Sequence, residues 1–272
     1  MIDLHLHTTA SDGSLLPADL VARAATAGIT TLSVTDHDTI AGLSAAHLAA
    51  ALCGLRLVNG IEITAVENSR DVHILGYFFD PADPALSDFL IRQRIDRVRR
   101  VEEIAGRLAA AGHPIDVSPL LEDGVTQGRS IGRPHVADAL IAAGHVRNRQ
   151  EAFDRFLVVG RPGFVPRCGG SAAEVIAVLA AAGGVASLAH PGLTRVDDLI
   201  PSLVDAGLAA IEVRHSDHDC VTEARYRALA SSCGLAVSGG SDFHADDSAR
   251  APTLGVVTLS PAEFSELEGR RR

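Results

Sequence analysis

Five short stretches of the chain put metal-ligand residue types where strands are expected to stop: His5-Leu6-His7, Asp36-His37-Asp38, Glu62, Ala189-His190-Pro191 and Asp242-Phe243-His244. In His5-Leu6-His7 and in Asp242-Phe243-His244 the ligand types flank one residue, so in extended chain both project to the same side. His73, in a further apolar run, and Asp12, in the loop after the first, complete nine candidate ligands, six His and three carboxylates. Imidazoles mixed with carboxylates suit Zn, Mn or Fe, and nine donors exceed what one ion can use. Singly, each residue has an ordinary explanation. A His at a strand end usually hydrogen-bonds at the surface, Asp12-Gly13 is a common turn, and Asp36 and Asp38 start helices or orient His37. The joint pattern, with ligand pairs near both ends of the chain, points to hydrolysis at a multinuclear metal centre.

The chain contains no lysine, and all 24 of its basic residues are arginine. That excludes amidohydrolases bridged by a carbamylated lysine, Schiff-base and pyridoxal enzymes, and P-loop NTPases. A serine esterase of the α/β-hydrolase type is not expected either. The formal net charge of −10 argues against a duplex nucleic-acid partner. Bound metals can still make a pocket positive for a small anion. Met1-Ile2-Asp3-Leu4-His5 lacks the basic and apolar regions of a secretory signal. The most apolar stretch, 175–189, is broken by Gly183-Gly184 and is too short to span a membrane. Cys53, Cys168, Cys220 and Cys233 show no Cys-x-x-Cys spacing. Reduced, mostly buried thiols in a cytoplasmic protein are expected.

A series of strands and helices must position these ligands. At 272 residues with 47% apolar content, the chain is long enough for one α/β barrel or two smaller domains. Strands are expected at 2–6, 30–35, 55–63, 72–78, 185–189, 209–213 and 235–238. Helices are expected at 17–27, at 39–52 with Thr39 as N-cap, and at 172–182, 197–206 and 222–232. Repeated strand–helix units favour a parallel sheet, closed or nearly closed, with the ligands meeting at its carboxyl face. Residues 83–166 break the rhythm with helices at 86–111, 134–143 and 151–157 and no buried strand. The expected organisation is a barrel of residues 1–82 and 167–272, carrying a helical insertion at 83–166, which the family resemblance given below implies caps the active site.

The motifs resemble the PHP (polymerase and histidinol phosphatase) family over nearly the whole chain. The residues concerned are His5-Leu6-His7-Thr8-Thr9-Ala10-Ser11-Asp12-Gly13, Thr35-Asp36-His37-Asp38, Gly60-Ile61-Glu62, His73-Ile74-Leu75-Gly76, Ala189-His190-Pro191-Gly192 and Gly240-Ser241-Asp242-Phe243-His244. The resemblance implies a distorted (β/α)7 barrel with two to three divalent ions. It implies that His5, His7, Glu62 and Asp242 hold the first, and that Glu62 bridges to a second held by His73 and His190. Asp12, His37 and His244 would hold the third. The insertion is similar to that of family phosphoesterases related to 3′,5′-nucleotide bisphosphate phosphatases and 5′→3′ ribonucleases, where it closes over the phosphate. Gly132-Arg133-Pro134-His135 occupies the matching segment, which implies Arg133 and His135 as substrate ligands. The plainer alternative is that Pro134 starts a helix beside a solvated Arg133. Such relatives often carry Arg-Tyr after His-Pro-Gly, where this chain has Leu193-Thr194-Arg195.

The expected chemistry follows from charge. Three divalent ions outweigh Asp12, Glu62 and Asp242, so the pocket suits a phosphate ester. Glu62 and Asp242 would hold the ions that acidify a bridging water, whose hydroxide attacks phosphorus in line while Arg133 neutralises the phosphoryl oxygens. His215, after the strand at 209–213, is a candidate acid for the leaving oxygen, or else a surface His in the run His215-Ser216-Asp217-His218. The expected substrate is a small phosphorylated metabolite, foremost a nucleotide of the 3′,5′-bisphosphate type. Alternatives are a 5′→3′ exonuclease on short single-stranded RNA or DNA, a cyclic phosphodiesterase, a histidinol-phosphate phosphatase, and a non-catalytic scaffold. The exonuclease needs stacking aromatics beside a basic groove, for which Tyr77, Phe78, Phe79 and the arginines at 92–107 are the candidates.

Overall fold

The computed structural model describes residues 1–245 and 254–271. Short apolar runs form seven strands among them: β1 (Ile2–Asp3), β2 (Thr31–Val34), β3 (Arg56–Glu67), β4 (Arg70–Tyr77), β5 (Val185–Leu188), β6 (Ala210–His215) and β7 (Ala236–Gly240). They pair in chain order from β1 to β7. The chain beyond β7 returns beside the chain beyond β1. Leu4 N–H donates to Gly239 O at 3.3 Å, Asp242 N–H to His5 O at 2.9 Å, and His7 N–H to Phe243 O at 3.0 Å. The result is the expected distorted, nearly closed α/β barrel. Apolar faces of α1 (Pro17–Thr26) and α2 (Leu43–Cys53) cover it, with Leu20, Val21, Ala24, Ala46 and Ala50 buried against Leu32, Val58 and their neighbours. No described helix is long and apolar enough to cross a membrane.

The sheet is not wholly parallel, and this corrects the simplest reading of the site. β3 and β4 join through Asn68 and Ser69, both at positive φ (50° and 63°), as a two-residue hairpin turn requires. Two residues leave no room for a crossover, so β4 runs antiparallel to β3, and β5 antiparallel to β4. The amino end of β4 therefore shares a face with the carboxyl ends of the parallel strands. His73 sits near that amino end, opposite Thr64. Its reach into the site depends on the reversal.

Between β4 and β5 the chain is helical: α3 (Pro84–Ala110), α4 (Ser118–Thr126), α5 (Arg133–Ala142) and α6 (Arg149–Ala152), the last running into a π-helical turn at Phe153–Leu157. Asp83 caps α3, accepting from Leu86 N–H at 2.8 Å. One face of α3 serves two cores. Leu86, Phe89 and Leu90 join the barrel core, whereas Val101, Ile104 and Leu108 pack with Ile131, Val136, Leu140 and Phe156 in a second cluster. α4 went unanticipated. α7 (Ala172–Ala181) leads into β5, and beyond β5 come α8 (Pro191–Thr194), α9 (Ile200–Asp205), α10 (Cys220–Ser232) and α11 (Pro261–Glu268).

Two smaller expectations are corrected. Thr39 does not cap α2, which starts after Gly42; its hydroxyl donates to Gly128 O at 2.7 Å and ties the β2–α2 loop to the helical segment. The cysteines are free but not mostly buried: Cys53, Cys168 and Cys220 are exposed, and Cys233 is half-buried. Their positions at helix ends and in a loop keep them out of the core.

Barrel closure presses β7 against the first ligand. A Cβ on Gly240 would lie 2.3 Å from His5 N and 2.7 Å from Asp3 Oδ1. The Gly240→Ala variant is expected to lose roughly 1–3 kcal/mol of stability through overpacking, read as a lowered urea midpoint. An unchanged midpoint would mean that the closure is loose.

Candidate metal centre

All nine expected ligands converge at one end of the barrel, and Glu62 is at their middle. The Glu62 side chain is fully buried on β3. Its Oε2 lies 3.2 Å from His5 Nε2, from His7 Nε2 and from His37 Nδ1. Its Oε1 lies 2.6 Å from His73 Nδ1 and 3.0 Å from His190 Nε2. Asp242 Oδ1 is 3.3 Å from His5 Nε2, 3.1 Å from His7 Nε2 and 3.5 Å from His244 Nδ1. Asp12 faces His244 Nε2 at 3.4 Å and His37 Nε2 at 3.8 Å. Donor atoms within 4.8 Å of one another form the groups His5–His7–Glu62–Asp242, His7–Asp12–His37–His244 and His37–Glu62–His73 around the mouth, and a fully buried group His5–Glu212–His215 behind it. His7 and His37 thus stand between neighbouring groups, a sharing that spacing alone did not reveal.

The donor set fits divalent cations. His7 Nδ1 and Nε2, His37 Nδ1, His190 Nδ1 and Asp12 Oδ1 are buried without a hydrogen-bond partner among the described residues. Buried polar atoms normally have partners, and the unpartnered ones of His7, His37 and Asp12 belong to residues that share one ligand group, which fits a bound cation. Burial would raise the carboxyls of Glu62 and Asp242, yet the surrounding histidines hold both well below the usual range. Asp12 is likewise held down against burial, by His244 and His37. Conversely, burial would lower His7, but Asp242 and Glu62 push it up to about 10. Burial wins at His37, which falls to about 3 despite Glu62 and Asp12. The carboxylates demand positive charge at this spot. His190 (φ 26°) and Asp242 (φ 53°) also hold left-handed backbone that non-glycine residues rarely adopt, a strain found at functional sites.

Several assignments change. His215 is neither a surface residue nor positioned as an acid. It is buried, with Nδ1 accepting from Asp217 N–H at 3.1 Å and Nε2 3.2 Å from Asp242 Oδ2, so it orients Asp242 from behind. His218 is buried too, bonded to Gly192 N–H and Val213 O. His135 is not free for a phosphate. Its Nδ1 accepts from Gly132 N–H at 3.2 Å and its Nε2 donates to Ser11 O at 2.9 Å, clamping α5 to the loop that carries Asp12. Asp36 and Asp38 do not touch the His37 ring. Asp36 accepts from Thr8 N–H, Thr8 Oγ1 and Ser11 Oγ, shaping the Asp12 loop. Asp38 accepts from Arg97 Nε at 2.7 Å and Arg167 Nη1 at 3.3 Å. Gly128-Arg129-Ser130-Ile131-Gly132 has the Gly-x-Ser-x-Gly spacing of a nucleophile elbow, so spacing alone does not exclude a serine esterase. The fold does: the segment joins two helices, and Ser130 Oγ is buried without a partner among the described residues.

Arg133, at the start of α5, lines a cavity of about 1130 Å³ that opens from Asp12, His37, Glu62, His73, His190 and Asp242. Arg97 and Arg167 line it as well, with Asp71 between Arg133 (3.5 Å) and Arg167 (3.9 Å). Two buried carboxylates behind the ligands were also missed. Glu212 on β6 contacts His5 Nδ1 at 2.9 Å, and Asp3, raised to about 6 by burial, accepts from Ser241 N–H at 2.9 Å. Acidic residues inside otherwise apolar strand runs were the signal.

A barrel with this many imidazoles and carboxylates at one mouth defines a metal-dependent hydrolase. Residues 3–116 match the PHP domain. A 3′,5′-nucleoside bisphosphate phosphatase of Chromobacterium violaceum is 34% identical over 252 residues, covering 90% of this chain and 87% of that protein. A 5′-3′ exoribonuclease of Escherichia coli is 34% identical over 249 residues, covering 89% of this chain and 84% of its own length. A crystal structure from Bifidobacterium adolescentis, of a protein predicted to be a metal-dependent phosphoesterase, superposes with a TM-score of 0.89 at 34% identity, covering 100% of this chain and 96% of that one. The chain belongs to the PHP family. It is a metal-dependent hydrolase of phosphoric esters.

Proposed function

We propose that the protein hydrolyses phosphate esters of small nucleotides of the 3′,5′-bisphosphate type, at two to three ions of Mn, Zn or Fe. The observation that carries this reading is Glu62, whose two oxygens face five imidazoles at the floor of an arginine-walled cavity. His5, His7, Glu62 and Asp242 would hold one ion; Glu62, His73 and His190 a second; Asp12, His37 and His244 a third. When bound, such ions polarise phosphoryl oxygens and acidify water near neutral pH. The chain's own contribution is to bind and orient. Arg133 presents a guanidinium fork to the phosphoryl oxygens, with Arg97 and Arg167 adding positive charge to the same wall. Residues 83–166 supply Arg97 and Arg133 to that wall, and Arg167 joins it from the chain that follows. His135 acts through the Asp12 loop rather than on the substrate.

A small nucleotide is favoured over an oligonucleotide because the aromatics and helix arginines expected to carry a strand are committed elsewhere. Tyr77 and Phe79 are buried in the barrel core and Phe78 packs against it, so they offer no stacking platform. The outward arginines of α3, Arg92, Arg99 and Arg107, pair with Glu174, Asp96 and Glu103. The test is hydrolysis by metal-loaded protein of adenosine 3′,5′-bisphosphate, a 5′-phosphorylated short RNA, a cyclic phosphodiester and histidinol phosphate. The bisphosphate is expected to have the highest kcat/KM; a higher value for the RNA would establish the exonuclease instead.

Arg133→Ala is expected to lower kcat/KM for the preferred ester roughly 10- to 100-fold while metal content stays at the wild-type level. Unchanged kinetics would place Arg133 outside the substrate site.

A further inference from the structure

Glu212 is a fully buried carboxylate to which the reaction outlined above gives no task. Both of its oxygens are engaged, each by a different ligand residue. Oε1 lies 2.9 Å from His5 Nδ1, and Oε2 accepts from the His190 backbone N–H at 2.7 Å. A carboxylate only accepts hydrogen bonds, so the contact places a proton on His5 Nδ1. That leaves the His5 Nε2 lone pair pointing toward Glu62 Oε2 and Asp242 Oδ1, at 3.2 and 3.3 Å. The second contact acts on conformation. His190 has φ 26° and ψ 57°, a sparsely populated region for a β-carbon residue, and it directly precedes the one-turn helix α8. Its N–H bond to Glu212 holds it there, with Nε2 3.0 Å from Glu62 Oε1.

We propose that Glu212 is a positioning residue that fixes the tautomer of His5 and the backbone of His190, coupling the ligands of two neighbouring ions through one carboxylate. The inference rests on the reading that His5 and His190 hold metal. Outer carboxylates of this kind orient a ligating imidazole and strengthen it as a donor, and their loss typically costs 10- to 100-fold in metal affinity.

The test uses Glu212→Gln, which preserves shape but has a single accepting oxygen. That oxygen can serve the His190 N–H or the His5 Nδ1–H, not both. Calorimetric titration of the metal-free full-length protein with Zn(II) is expected to show a roughly 10- to 100-fold weaker affinity than wild type, with the metal-free melting temperature little changed. In the Zn(II)-loaded protein, the downfield proton signal of His5 Nδ1–H should move upfield or vanish. Glu212→Asp retains the carboxylate and should recover part of the affinity. Wild-type protein that binds no Zn(II) would overturn the metal reading itself. Wild-type binding with equal affinity and an unmoved His5 signal in Glu212→Gln would overturn the role of Glu212 alone.

Discussion

Asp242→Ala is expected to abolish phosphoester hydrolysis, lowering kcat by roughly 1,000-fold or more, while the barrel remains folded. The Asp242 carboxylate meets His5, His7 and His244 through one oxygen and His215 through the other. Removing it strips one of three negative ligands from the centre and unseats His215. The fold depends on it far less. Its side chain lies at the edge of the cavity, and the Asp242 N–H bond to His5 O that helps close the barrel belongs to the backbone. Alanine at its positive φ costs roughly 1 kcal/mol, a small part of a domain's stability. The checks are kcat on the preferred ester, metal content, and a thermal melt by circular dichroism. Full activity in this variant would remove Asp242 from the site.

Exhaustive chelation is expected to silence the wild-type protein, and added Mn, Zn or Fe(II) to restore it. The same ions should raise the melting temperature, because they bind the folded protein where its ligands converge. The gain is about 2.7 kcal/mol when free metal is 100-fold above its dissociation constant. Stabilisation has a local origin. His7, pushed up to about 10, stacks on His244 with ring centroids 4.1 Å apart, so protons on these two rings repel unless a cation replaces them. Activity that survives complete removal of metal, confirmed by elemental analysis, would contradict the account.

The ligands were legible because their types recur at strand ends, and strand ends converge whatever the details of the sheet. His73 was named from the same pattern, but its placement follows from an unread feature, the Asn68-Ser69 turn that reverses β4. Arg97 and Arg167 were hidden for a different reason. Which arginines of an Arg-rich helix face inward depends on what packs against it: Asp38 turns Arg97 in, and it also draws Arg167 from the loop before α7. His135 and His215 have the right residue type at the right address. Whether a ring nitrogen is free or already hydrogen-bonded is settled only by tertiary contacts, here Ser11 O, Gly132 N–H, Asp217 N–H and Asp242. Glu212 stood in plain view inside an apolar strand run. A buried acid without a partner is costly, and its presence there already called for one.

Anomalous diffraction from crystals grown with Mn or Zn, recorded across the metal absorption edge, tests the central claim most directly. The account predicts two or three peaks within about 2.0–2.3 Å of ligand atoms of His5, His7, Glu62, Asp242 and their neighbours, with Glu62 between two of them. A catalytically active crystal with no anomalous peak at this cluster would contradict it.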